Sequence, residues 1–241
     1  MTVKLLFENW RGFIKEQQQP QASALNDYSY VFGTIDGAII EKKNENRLYY
    51  GASMNKPMLA FVNLVLCQAQ IDAVKSGEIE IPSRECLNHR ELTGLLNYGC
   101  PEGSHDIKNP NAPKCWGRLG RKGNISNKLS RLISGKSPAR EKEAVDRLEA
   151  TPDRIKKLQV TAKEIRQVYE DLGLEGISKV RHATSDNKQS AAGVFHFLKF
   201  LSDPHVPYPE ARAKILKYMG TPFKGHDSAW WRAIKRRYCN R

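Results

Sequence analysis

The sequence predicts a mixed α/β (α+β) fold, a small antiparallel sheet flanked by helices. Residues Tyr28–Ile40 are rich in Tyr, Val, Phe, Thr and Ile and carry Asp36-Gly37 within them, the pattern of two strands joined by a tight turn. From Met54 to Met219 the chain instead shows one helical apolar periodicity after another. Its 241 residues, 40% of them hydrophobic, suffice for one large domain or a main domain with an inserted lobe.

Taken in order, residues 4–16 set Leu5, Leu6, Phe7, Trp10, Phe13 and Ile14 at helical spacing, so an N-terminal helix is expected within 1–20. Gln17-Gln-Gln-Pro20 ends it and a linker follows to Asp27. The main domain is expected over 28–241, with a basic insertion at about 100–160. After the strand pair, Glu41–Asn46 reads as a polar turn and Arg47–Tyr50 as a short extended segment. Met54–Val74 reads as a long apolar helix with Pro57 in its first turn, where a missing N–H does no harm. Further helices are expected over 85–98, 125–133, 140–158 with a break at Thr151-Pro152, 161–172 stopped by Gly173, 190–201, and 208–219.

Composition excludes several classes. Apolar content is ordinary, Gly and Pro are scattered, and five Cys are too few for a disulfide scaffold. The run Met58–Cys67 is broken by Asn63 and is too short to span a bilayer, so no membrane span is expected. Glu8 and Arg11 stand where a signal peptide needs an apolar core. An odd cysteine count fits a reducing compartment, so the expected location is cytoplasmic, or that of a virus-encoded protein without its own export signal. Net charge is +13, and between Lys108 and Arg140 nine Lys/Arg stand with no Asp or Glu. Such a segment is expected to form an exposed, non-core insertion and offers a face for a polyanion or nucleic acid.

The chemistry concentrates at Ser53-Met54-Asn55-Lys56. If Ser53 opens the long helix, Lys56 lies three residues on, on the same face, within reach of the Ser53 hydroxyl. Desolvated against the helix behind it, the amine would lose affinity for its proton and could act as general base. The helix start adds a free backbone N–H at Ser53 for a developing oxyanion. A second Ser-x-x-Lys, Ser185-Asp-Asn-Lys188, lies in a polar turn and lacks this context.

Tyr50-Gly-Ala-Ser-Met-Asn-Lys-Pro-Met-Leu-Ala60 resembles the active-site helix start of the serine β-lactamases and penicillin-binding DD-peptidases. Arg90-Glu-Leu-Thr-Gly-Leu-Leu96 is similar to the helix before that family's second motif, and Tyr169–Leu174 with Ser190–Leu201 resembles the region after it. The resemblance covers roughly 28–219 and implies a divergent or truncated member: a β-lactamase/transpeptidase-like domain with an enlarged helical lobe. It implies acyl transfer on a peptidoglycan-like peptide or β-lactam amide, with Ser53 as nucleophile, Lys56 as base and no cofactor. The family's second motif, Ser-x-Asn or Tyr-x-Asn, is expected after the 90–98 helix; Tyr98 could supply a phenol there, but no Asn lies two residues on. Ser185-Asp186-Asn187 comes too late in the order, and Lys224-Gly225 lacks the hydroxyl residue of the third motif, Lys-Thr/Ser-Gly. The rival reading is a non-catalytic basic binding or structural protein that retains the scaffold.

Cys86, His89, Cys100, His105 and Cys115 cluster in sequence, but their spacing fits no common zinc finger, so free thiols and surface imidazoles are expected rather than a metal. Trp116, Trp230 and Trp231 lie in basic stretches and are read as packing residues before base-stacking ones.

Overall fold

A computed structural model describes residues 29–34, 37–50, 55–101, 111–119, 123–173 and 188–219. The expected helix within 1–20 therefore lies outside the described residues, as do Ser53, His105, Ser185, Trp230 and Trp231. Among the described residues the architecture is α+β, with eight α-helices and three two-stranded antiparallel ladders.

Strands β1 (Tyr30–Gly33) and β2 (Ile39–Lys43) form the expected hairpin, with Tyr30 opposite Lys43 and Phe32 opposite Glu41. Of the polar run Glu41–Asn46, expected as a turn, only the second half turns, closed by the Arg47 N–H donating to the Asn44 carbonyl at 2.9 Å. Glu41 sits in the ladder and accepts from the Tyr30 hydroxyl at 2.6 Å; the chain reverses later, at Asn44, whose φ is 47°. A polar residue is compatible with a strand whose outer face is wet. β3 (Tyr49–Tyr50) then pairs with the distant β6 (Lys188–Gln189).

Helix α1 (Asn55–Lys75) is the core of the molecule, and Met58 to Val65 is buried without interruption. At 21 residues it is longer than the apolar run read from the sequence, and by length and composition alone it could cross a membrane. It packs instead against α2 (His89–Leu96), α6 (Ala162–Asp171) and α8 (Pro209–Met219). Asn63 does not break it. The side chain is 1% exposed, donates to the Leu158 carbonyl at 2.9 Å and accepts from the Leu87 N–H at 3.0 Å. One turn on, Cys67 is disulfide-bonded to Cys86, so two adjacent turns of α1 hold the segment before α2. Asn63→Leu is expected to cost about 2–4 kcal/mol by stranding that buried N–H and carbonyl; a chemical-denaturation change below about 1 kcal/mol would contradict the assignment.

Local signals set the other boundaries. α2 is shorter than expected because Asn88 caps it in a reciprocal box with Glu91. β4 (Arg118–Leu119) and β5 (Gly123–Asn124) lead into α3 (Ile125–Ile133), capped by the Asn124 side chain. α4 (Lys142–Leu148) ends at Glu149 in the left-handed region. Thr151 caps α5 (Pro152–Leu158), whose first residue is Pro152. Thr161 and Glu164 box the start of α6, and Ser190 caps α7 (Ala191–Ser202).

Among its described residues, the basic segment is not a wholly exposed, non-core insertion, because Leu119 and α3 join the core. Leu119, Ile125, Leu129, Leu132 and Ile133 are at most 1% exposed, and α3 packs on α2. The apolar residues recur on one face of α3 while Lys128 and Arg131 emerge on another. These two ion-pair with Glu141, at 2.5 and 2.9 Å, the carboxylate that follows the charge run directly.

Candidate active site

Lys56 lies in the first turn of α1 and is 5% exposed. Its Nζ donates to Asn127 Oδ1 at 2.7 Å, and the ring of Tyr98 lies 4.9 Å from it. Burial pushes the amine down from its ordinary 10.5 to about 8. Ammonium and free amine are thus both populated near neutral to mildly alkaline pH, the condition a lysine base requires. Asn127 is exposed, so the buried amine sits just beneath the surface.

Two elements bring its partners together. Asn127 is in the first turn of α3, and its N–H donates to Asn124 Oδ1 at 2.9 Å. Ser126 Oγ donates to the Leu95 carbonyl at 2.5 Å, tying the start of α3 to α2. Tyr98 follows α2 with φ 54°, a left-handed conformation uncommon for a residue of its bulk. The chain after it runs against 115–117: the Trp116 N–H donates to the Gly99 carbonyl at 2.9 Å, and Cys100 is disulfide-bonded to Cys115. The approach is so close that a Cβ on Gly117 would lie 1.7 Å from the Tyr98 carbonyl oxygen. Only glycine fits there. Gly117 in turn accepts from the Ile125 N–H at 2.7 Å, which fixes the entry to α3.

A further polar group stands at the same end of α1. Gln189, on β6, is 4% exposed and donates through Nε2 to Asn55 Oδ1 and to Met58 Sδ. Its Oε1 is buried with no hydrogen-bond partner among the described residues.

Of the two residues the sequence nominates, Lys56 is placed as described and Ser53 lies outside the described residues. The sequence does not nominate Asn127: the second motif is expected immediately after the 90–98 helix, and Asn127 lies beyond residues 99–124. The available signal was the cap sequence Asn124-Ile-Ser-Asn127 at the start of an apolar helix.

The expectation of free thiols is corrected. Four of the five cysteines are paired, Cys67 with Cys86 and Cys100 with Cys115; Cys239 lies outside the described residues. Cysteine parity is a poor guide to pairing, since an odd count does not stop four of the five from bonding. His89 is not a free surface imidazole either: its Nδ1 is hydrogen-bonded to the Tyr218 hydroxyl, joining α2 to α8.

Comparison with protein families, with curated proteins and with solved structures finds no match.

Proposed function

We propose that the protein is a serine acyl-transfer hydrolase of the β-lactamase/DD-peptidase type, acting on a peptidoglycan-like peptide or β-lactam amide. The observation that carries this reading is the Lys56 amine, buried three residues after Ser53 and held partly neutral beside Asn127 and Tyr98. The Ser53 hydroxyl attacks the amide carbonyl as Lys56 takes its proton. Collapse of the tetrahedral intermediate breaks the C–N bond, returns a proton to the leaving nitrogen and leaves an acyl ester on Ser53. Water or an amine then releases the acyl group. In this scheme Asn127 orients the amine, and Tyr98 shields the amine from solvent.

The rival, a non-catalytic polyanion-binding scaffold, is weakened only at two cations of the basic run, since Lys128 and Arg131 are already paired with Glu141. The two disulfides favour an oxidising setting over the reducing one expected from cysteine parity.

Labelling with a fluorescent penicillin tests the proposal. The wild-type chain is expected to carry label and Ser53→Ala none, with both folded by circular dichroism. Loss of a helix-start serine costs only about 0.5–2 kcal/mol, so the variant survives. Two folded proteins that both stay unlabelled would overturn the reading.

A further inference from the structure

Both partners described above for the Lys56 amine hang from one junction. Tyr98 precedes Gly99-Cys100, and Asn127 follows Gly117 through the Ile125 N–H bond to the Gly117 carbonyl at 2.7 Å. The two strands of this junction, 98–100 and 115–117, meet at the Gly117–Tyr98 approach and the Trp116–Gly99 hydrogen bond, and they are closed by Cys100–Cys115. Tyr98 holds a left-handed backbone that a tyrosine abandons when its surroundings relax.

The two disulfides differ in access. Cys115 is exposed although Cys100 is 8% exposed, while Cys67 is 3% exposed and Cys86 is partly buried against the core. The Cys115 sulfur therefore offers a dithiol in solvent the readier point of attack. Elsewhere α2 and α3 remain joined by Leu92, Leu95, Ile125 and Leu129, each at most 2% exposed, and by the Ser126–Leu95 hydrogen bond.

We infer that the Cys100–Cys115 disulfide is a redox latch that positions Tyr98 over the Lys56 amine, and that its reduction loosens this site while the rest of the fold stands. A dithiol supplies two electrons and two protons: the S–S bond breaks, two thiols form, and the reductant closes to its own cyclic disulfide. The inference rests on the proposed function for its consequence, loss of a working base, but not for its measurement. That measurement is made in Ser53→Ala, where no acylation takes place.

The test is a titration of the lysine Cε resonances by carbon-13 NMR in the full-length Ser53→Ala chain, with the Lys56 signal assigned by its loss in Lys56→Met. Dithiothreitol without denaturant, then alkylation and peptide mapping, is expected to modify Cys100 and Cys115 and leave Cys67–Cys86 intact. The oxidised chain is expected to titrate at Lys56 near 8. After selective reduction the midpoint is expected to rise by about one unit or more, a tenfold gain in proton affinity, with helical circular dichroism retained. Cys100→Ser/Cys115→Ser, which carries no alkyl group, should reproduce the rise. An unchanged midpoint in the reduced chain or in that variant would overturn the latch. Loss of helical signal on reduction, or equal reduction of both bridges, would also overturn it, by making the disulfide a general staple.

Discussion

Replacing Lys56 by methionine is expected to slow acylation of Ser53 by about 10²–10⁴-fold, the range a positioned proton acceptor supplies. The substitution keeps the length of the side chain and removes the group whose solvation burial has taken away. Asn127 loses a donor but is exposed, so water replaces it. The variant should then be no less stable than the wild type at neutral pH, which separates loss of chemistry from loss of fold. The pH dependence has a definite sign. In the folded chain Lys56 titrates at about 8, below its ordinary 10.5. Below pH 8 both folded and unfolded chains hold the proton, and the burial penalty is present in full. Between 8 and 10.5 the unfolded chain binds a proton that the folded chain does not, so wild-type stability rises with pH relative to Lys56→Met. Labelling rate is expected to climb about tenfold per pH unit below 8 and level off above it, as the neutral amine saturates. A flat profile between pH 6 and 9, or a Lys56→Met chain labelled at the wild-type rate, would remove Lys56 from the mechanism.

Arg154→Met is expected to cost about 3–5 kcal/mol, the cost of leaving a buried charge without its partner. Glu91 is 1% exposed, and Arg154 donates to its two oxygens at 2.9 Å each. The same guanidinium reaches Glu85 and the Cys86 carbonyl, so one side chain on α5 gathers the segment 85–91. Hydrogen bonding to Glu91 holds its charge more firmly than usual. Glu91 also closes the cap of α2, accepting from the Asn88 N–H at 2.8 Å, so an unpaired carboxylate loosens the helix that leads to Tyr98. Against a typical stability of about 5–15 kcal/mol, the loss should lower the thermal midpoint on the order of 10 °C. Glu91→Gln/Arg154→Met should recover part of it, because a neutral amide is cheaper to bury. A single variant within 1 °C of wild type, by differential scanning calorimetry, would show that water reaches Glu91.

Much of the helical framework was legible because its determinants are local. Pro57, Thr151-Pro152, Gly173 and Pro209 mark boundaries that the structure keeps within a residue or two. Asp36-Gly37 correctly divided the first two strands. What escaped depends on pairing across sequence. The end of β2 is set by its ladder with β1, not by the polarity of Glu41. Within the charge run from Lys108, Lys128 and Arg131 find their counter-ion in Glu141, which stands one residue past the window. Asn127 meets Lys56 across 71 positions, and nothing in either local sequence states that they touch. The bonding of Cys67 to Cys86 and of Cys100 to Cys115 is likewise a fact of three-dimensional proximity.

The central position of α1 has a consequence for how the molecule is made. Its apolar surface, Met58 to Val65, leaves the ribosome well before α8, which covers it in part together with α6 and begins only at Pro209. A domain whose core helix awaits contacts from so far along the chain closes slowly, because distant loops must be shut before those contacts repay them. Until then the nascent chain carries a sticky 21-residue helix in search of partners. Yield in a heterologous host should therefore respond to temperature and to chaperone supply more than to any change made at the surface.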